Sequence, residues 1–199
     1  DHSLIDGKAA YVISLRAMNW IKFLSLKNID DQDINQHLFN HYQILIKNIE
    51  YHLLGNHLLE NGFSFLFGAY YFKDELFYKQ AIKILKTELD QQILNDGGHF
   101  ELSPMYHQIM LFRILDCIQL INLNTWKKDY FLQYLENVAS KMFSWLEEVT
   151  FDNGEIPMVN DSSFGIAPST KELLNYGIHL CISFNRVKLA DSGYRMFRN

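Results

Sequence analysis

Apolar residues recur at helical spacing along almost the whole chain, in runs parted by short polar or glycine breaks, so helices packed on helices must form the core. Over about residues 8–27, Val12, Leu15, Trp20, Phe23 and Leu24 predict a first helix buried on much of its circumference. The Asp30-Asp31-Gln32-Asp33 cluster opens a second, carrying Leu38, Tyr42, Leu45, Ile49 and Leu53 toward a closing glycine, Gly55. A third spans about 56–72. After the Lys73-Asp74 break a fourth spans about 76–94, with Ile82, Leu85 and Leu89 on one face.

Asp96-Gly97-Gly98 cannot continue a helix without cost, so the chain turns there. Ser103 then serves as an N-cap and Pro104 as the first helical residue, because proline at that position gives up an N–H that has no intrahelical partner. This fifth helix runs to about residue 121 with Tyr106 in its first turn, and a sixth covers about 125–149. Together these segments predict antiparallel helix hairpins, arranged as a bundle or a ring.

Residues 151–168 keep no period and are rich in turn formers, and a long irregular loop in a helical domain is often functional. Ser169-Thr170-Lys171-Glu172 fits a capping box, so a seventh helix is expected over about 170–184. Beyond it, residues 187–197 read as the approach to a strand.

With 199 residues, 3 prolines and 10 glycines, the composition favours one helical domain with a large core. The net charge of -5 and the dispersed basic residues offer no surface for nucleic acid, and no apolar run reaches the length of a membrane span. Cys117 and Cys181 match neither a disulfide framework nor a zinc spacing and read as buried free thiols. The chain begins with Asp1, and no charged segment followed by an apolar one precedes the fold, so location is not legible here.

Three constellations could carry chemistry. In Gly55-Asn56-His57-Leu58-Leu59-Glu60-Asn61, His57 and Glu60 share a helical face, so the carboxylate could fix the imidazole tautomer while the Asn56 amide meets an anionic oxygen. Helix capping by Asn56 beside a partly exposed His57–Glu60 pair is the structural alternative. In the second, Tyr106 and Arg113 lie two turns apart, and a nearby cation would lower the tyrosine pKa and fit it for proton transfer. The alternative has Tyr106 packed with its hydroxyl wet, His99 capping a turn and Arg113 paired with a surface carboxylate. The third, Asp152 to Ser162, lacks the spacing of a calcium loop and reads as loop structure or an active-site wall. His2, His37, His41, His52 and His179 show no metal-ligand spacing, and serine-nucleophile, phosphate-loop and dinucleotide fingerprints are missing.

Taken in order, Ser14-Leu15-Arg16 with Asn19-Trp20, Asn56-His57 with Glu60, Asp96 to Glu101 through Ser103-Pro104-Met105-Tyr106-His107, and Asp152 to Asp161 resemble the helical domain of the heparinase II/III-like polysaccharide lyases, a group that includes oligoalginate lyases. The resemblance implies an all-α fold, an incomplete α/α toroid over residues 1–185, with 186–199 leading into a β-sandwich domain. It implies β-elimination on an acidic, uronate-containing polysaccharide. Asn56 and His57 would then contact the uronate carboxylate, Glu60 would orient His57, and Tyr106 would act as the acid or as both base and acid. His99, His107 and Arg113 would support the groove. No cofactor is implied in this chain. A structural metal and further groove residues belong to the β-sandwich, so the chain alone should have little activity, and the resemblance places the protein in the periplasm or outside the cell. The rival expectation is a glycan-binding or surface-polysaccharide assembly protein that keeps the toroid without the elimination chemistry.

Overall fold

A computed structural model describes residues 6–53, 55–128 and 130–197. After a 3-10 turn at Asp6–Lys8 come α1 (Ala10–Lys27), α2 (Gln32–Leu45), α3 (Asn56–Phe72), α4 (Glu75–Gln92), α5 (Pro104–Asn122), α6 (Tyr130–Val149) and α7 (Thr170–His179). The fold is all-helical, and no β-strand is formed among the described residues. Two compact units share it, one through Glu88 and one from Leu89 onward.

In the first unit α1 packs against α3 and α2. Its buried stripe is Ala10, Ile13, Ser14, Ala17, Met18, Ile21 and Leu24, a face at spacings of three and four. Val12, Trp20 and Phe23, expected inside, are exposed, because the many apolar residues of α1 allow more than one stripe and only packing against α3 selects among them. α3 is buried from Leu58 through Tyr70. Gly68 makes room for the Tyr42 ring, whose Cζ lies 2.5 Å from where a Cβ would stand. The Tyr42 hydroxyl donates to the Ser64 carbonyl at 2.9 Å, with Phe65, Phe72 and Phe77 around the ring. Fully burying such side chains stabilises by about 1.5–3 kcal/mol each.

α2 ends at Leu45, well short of the expected Leu53. Asn48 Nδ2 donates to the Ile44 carbonyl at 2.7 Å at this helix end, and the Glu50 N–H donates to the Asn61 side chain instead of continuing the helical ladder. Gly55 does not close α2. It is the residue before α3, with φ 64 and ψ -146, a conformation nearly reserved for glycine.

In the second unit α5 packs against α6 and α7. The glycine turn forms as expected: Gly97 has φ 90, Leu94 N–H donates to Gly98 O at 2.9 Å, and Ile93 pairs with His99 in an antiparallel bridge. Ser103 accepts from Tyr106 N–H at the N-cap of α5, and the Ser169–Glu172 capping box forms at α7. α6 begins at Tyr130, later than expected, after a turn in which Lys127 has φ 55.

α7 stops at His179 rather than near residue 184. Cys181 takes φ 58, its N–H donates to Ile178 O, and Ile182 N–H donates to Gly177 O, a paired closure that terminates the helix. Cys181 is therefore exposed, while Cys117 is buried as expected. Residues 187–197 are irregular and form no strand. They are held by Asp96, which accepts from Ala190 N–H and Ser192 N–H at 2.9 Å each and from the Ser192 hydroxyl at 2.7 Å.

Candidate functional site

Asn56 and His57 begin α3, half-buried in the first unit. The His57 ring packs at a 33° tilt against Tyr11, with centroids 4.5 Å apart, and its side chain is 41% exposed. Its Nδ1 is buried and lies 3.5 Å from Glu50 Oε1. That separation is a close approach without the geometry of a completed hydrogen bond.

The carboxylate set against His57 Nδ1 is thus Glu50, where the sequence pointed to Glu60. Helical side chains tilt toward the N-terminus, so an imidazole in the first turn of α3 reaches back to the preceding loop rather than forward one turn. Glu60 itself is buried. Glu50 is only 9% exposed in its side chain and firmly anchored. Its Oε2 accepts from Asn61 Nδ2 at 3.0 Å, its N–H donates to Asn61 Oδ1 at 3.0 Å, and Asn61 Nδ2 also reaches Ser14 Oγ at 3.1 Å.

Tyr106 stands half-buried in the first turn of α5, in the second unit. Its hydroxyl approaches Asp161 Oδ2 at 3.4 Å. The loop bearing Asp161 is fastened to the start of α5: Ser162 Oγ lies 3.0 Å from Ser103 Oγ and accepts from Met105 N–H, and Asn160 Nδ2 donates to Leu102 O at 2.9 Å. Tyr194 donates to the same carbonyl at 2.7 Å, which holds Leu102 at φ 55. The turn-rich segment is therefore a wall beside Tyr106.

The electrostatics at Tyr106 reverse the expectation of a lowered pKa. Burial first, then the Asp161 charge, its hydrogen bond and the Glu101 charge raise the phenol above its ordinary value. Glu101 is raised in turn by burial and by Asp161. Arg113 is half-buried farther along α5, and the charges at the Tyr106 hydroxyl are carboxylates. A phenol so placed rests protonated, ready to donate.

His107 and His99 are core histidines, not groove contacts. His107 is fully buried against Trp145 with ring centroids 4.5 Å apart, and its Nε2 pairs with Met142 O at 3.1 Å. Burial pushes it down to about 3. His99 is 1% exposed, its Nε2 pairs with Gln92 Oε1 at 3.2 Å, and burial lowers it to about 4. The helical face of His107 places it opposite α6, which the sequence could not reveal.

Among the described residues, no three or more His, Cys, Asp or Glu side chains gather as a metal site, and no helix is long and apolar enough to cross a membrane. His2 and Arg198 lie outside the described residues. Glu50, Asn61 and Asp161 are supporting residues to which motif reading gave no role. Asn61 closes the Gly55–Asn61 constellation and Asp161 lies in the turn-rich loop, but Glu50 carried no signal beyond proximity to Asn56-His57.

The chain is all-helical among its described residues, with Asn56-His57 opening α3 and Tyr106 in the first turn of α5. Residues 9–179 match the heparinase II/III N-terminus family, and the chain belongs to it. It is 28% identical to a heparin-sulfate lyase of Bacteroides stercoris over 160 residues, covering 77% of this chain and 23% of that protein. It is 30% identical to a heparin-sulfate lyase of Pedobacter heparinus over 115 residues, covering 54% of this chain and 17% of that protein. The chain thus spans less than a quarter of the length of these relatives. No solved structure gives a significant match.

Proposed function

We propose that this chain is the helical part of a polysaccharide lyase that cleaves an acidic, uronate-containing glycan by β-elimination. Removing the C5 proton of a uronate builds charge on a group that already carries a carboxylate, so an enzyme must offset that charge and protonate the departing oxygen. The C5 proton passes to a base, the C5–H electron pair becomes the C4–C5 double bond, the C4–O4 bond breaks, and O4 takes a proton. Asn56 and His57 would meet the carboxylate, and Tyr106 would give the proton to O4.

The observation that supports this reading best is the half-buried Tyr106 hydroxyl, held against a carboxylate at the start of α5 in a chain of this family. The toroid, the β-sandwich with its structural metal and a periplasmic or extracellular location come with the same proposal through the resemblance. So does the expectation that this chain alone has little activity.

Incubating the full-length protein with heparan sulfate, heparin, hyaluronan, chondroitin sulfate and alginate should yield the ultraviolet absorbance of an unsaturated uronate from at least one polymer. Tyr106→Phe should lower that rate by about a hundredfold or more. Binding of an acidic oligosaccharide without any product would favour the glycan-binding alternative instead.

A further inference from the structure

We propose that Glu50 is a positioning residue for His57: anchored by Asn61, it holds the Nδ1–H side of the ring and turns Nε2 toward the substrate, where the ring takes up a solvent proton as the uronate carboxylate arrives and donates Nε2–H to it. The inference rests on the lyase reading for its role in turnover, and on the first unit alone for its geometry.

Glu50 has no freedom to serve as a casual surface partner. Its side chain is 9% exposed, and Asn61 holds it from two sides, accepting from its backbone N–H and donating to Oε2, each at 3.0 Å. Asn61 is itself fully buried in α3 and tied to Ser14 in α1, so the carboxylate is fixed by two helices. The one oxygen not engaged by Asn61, Oε1, faces His57 Nδ1 at 3.5 Å.

Nδ1 is buried and completes no hydrogen bond in the resting state. A bare nitrogen lone pair facing a carboxylate is electrostatically worse than an N–H facing it, so this arrangement favours the Nδ1–H tautomer. Contacts at catalytic groups are commonly long before substrate binds and shorten afterwards. Tilted packing against Tyr11 restricts the ring while Glu50 selects its edge. A second carboxylate fixing one nitrogen so that the other works is a common device where imidazoles bind or transfer protons.

The test reads the His57 ring directly. In the full chain, labelled with nitrogen-15 and held at mildly alkaline pH where imidazoles are neutral, long-range proton–nitrogen spectra distinguish the two tautomers, with His57→Gln assigning the signals. His57 should be mainly Nδ1–H in the wild type. Glu50→Gln keeps an oxygen for Asn61 and presents an amide N–H to Nδ1, so it should shift the ring toward Nε2–H, whereas Glu60→Gln should leave it alone. A wild-type ring that is mainly Nε2–H overturns the proposal even if Glu50→Gln fails to fold. A tautomer unmoved by Glu50→Gln, or moved by Glu60→Gln alone, overturns it equally.

In the full-length protein, Glu50→Gln should lower kcat by about a hundredfold with KM nearly unchanged, the mark of a misplaced group rather than lost binding. Absence of product from the wild type on every uronate polymer would remove the lyase reading, while the tautomer spectra would still decide whether Glu50 holds His57.

Discussion

Asp96 accepts two hydrogen bonds from Ser192, one from its backbone N–H at 2.9 Å and one from its hydroxyl at 2.7 Å, and so fastens the irregular segment after α7 to the glycine turn before α5. Trp145 extends the link by donating its indole N–H to Ser192 Oγ at 3.0 Å. Burial alone would raise the Asp96 carboxyl, but donation from Ser192, Ala190 and Gly98 outweighs it and leaves the group below its ordinary value.

Acid should therefore unfold the second unit through three groups acting in the same direction. With its folded pKa depressed, Asp96 stabilises above its unfolded value and loses that contribution as pH falls through the folded one. His99 and His107 stay neutral when folded down to about 4 and about 3, whereas the unfolded chain takes up protons below 6.5. Stability should fall with pH from 6.5 toward these values, by about 1.4 kcal/mol per pH unit for each histidine. Urea titrations across this range should show the slope, and His107→Gln should reduce it; an equal slope in that variant would refute the assignment.

Replacing Asp161 by Asn should move the Tyr106 titration downward, because a carboxylate that disfavours phenolate is removed while burial and Glu101 remain. Carbon-13 labelling of the tyrosine ring carbon bearing the hydroxyl follows this directly, with Tyr106→Phe identifying the signal. An unmoved midpoint would mean that the 3.4 Å approach carries no energetic coupling.

Two glycines with similar backbone angles should respond differently to alanine. Gly97 has φ 90 and its added Cβ would lie 2.0 Å from Lys141 O, so backbone strain and overlap combine. Gly154 has φ 86 with nothing within 4 Å, leaving strain of about 1–2 kcal/mol. Chemical denaturation should show Gly97→Ala to be the more damaging by a clear margin, and equal losses would contradict the packing described.

Ser169→Ala should cost about 1 kcal/mol by removing the reciprocal cap of α7. Thermal unfolding monitored by circular dichroism would register it, and an unchanged midpoint would show that the tertiary contacts of α7 carry the helix without its cap.

The sequence by itself determined the helical segments, the glycine turn, the Ser103-Pro104 start of α5, the capping box at Ser169 and the motif order that marks the family. Each of these depends on backbone preferences and side chains within a few residues of one another, so local chemistry suffices. Tertiary structure decided which apolar stripe of α1 is inside, where α2 and α7 stop, that His99 and His107 belong to the core, and that the charges at Tyr106 are negative. It also gave Glu50, not Glu60, the place beside His57. Periodicity defines the faces of a helix but not what stands opposite each face, and these outcomes hang on partners such as Asn61 with Glu50 or Asp161 with Tyr106, which only the folded chain brings together.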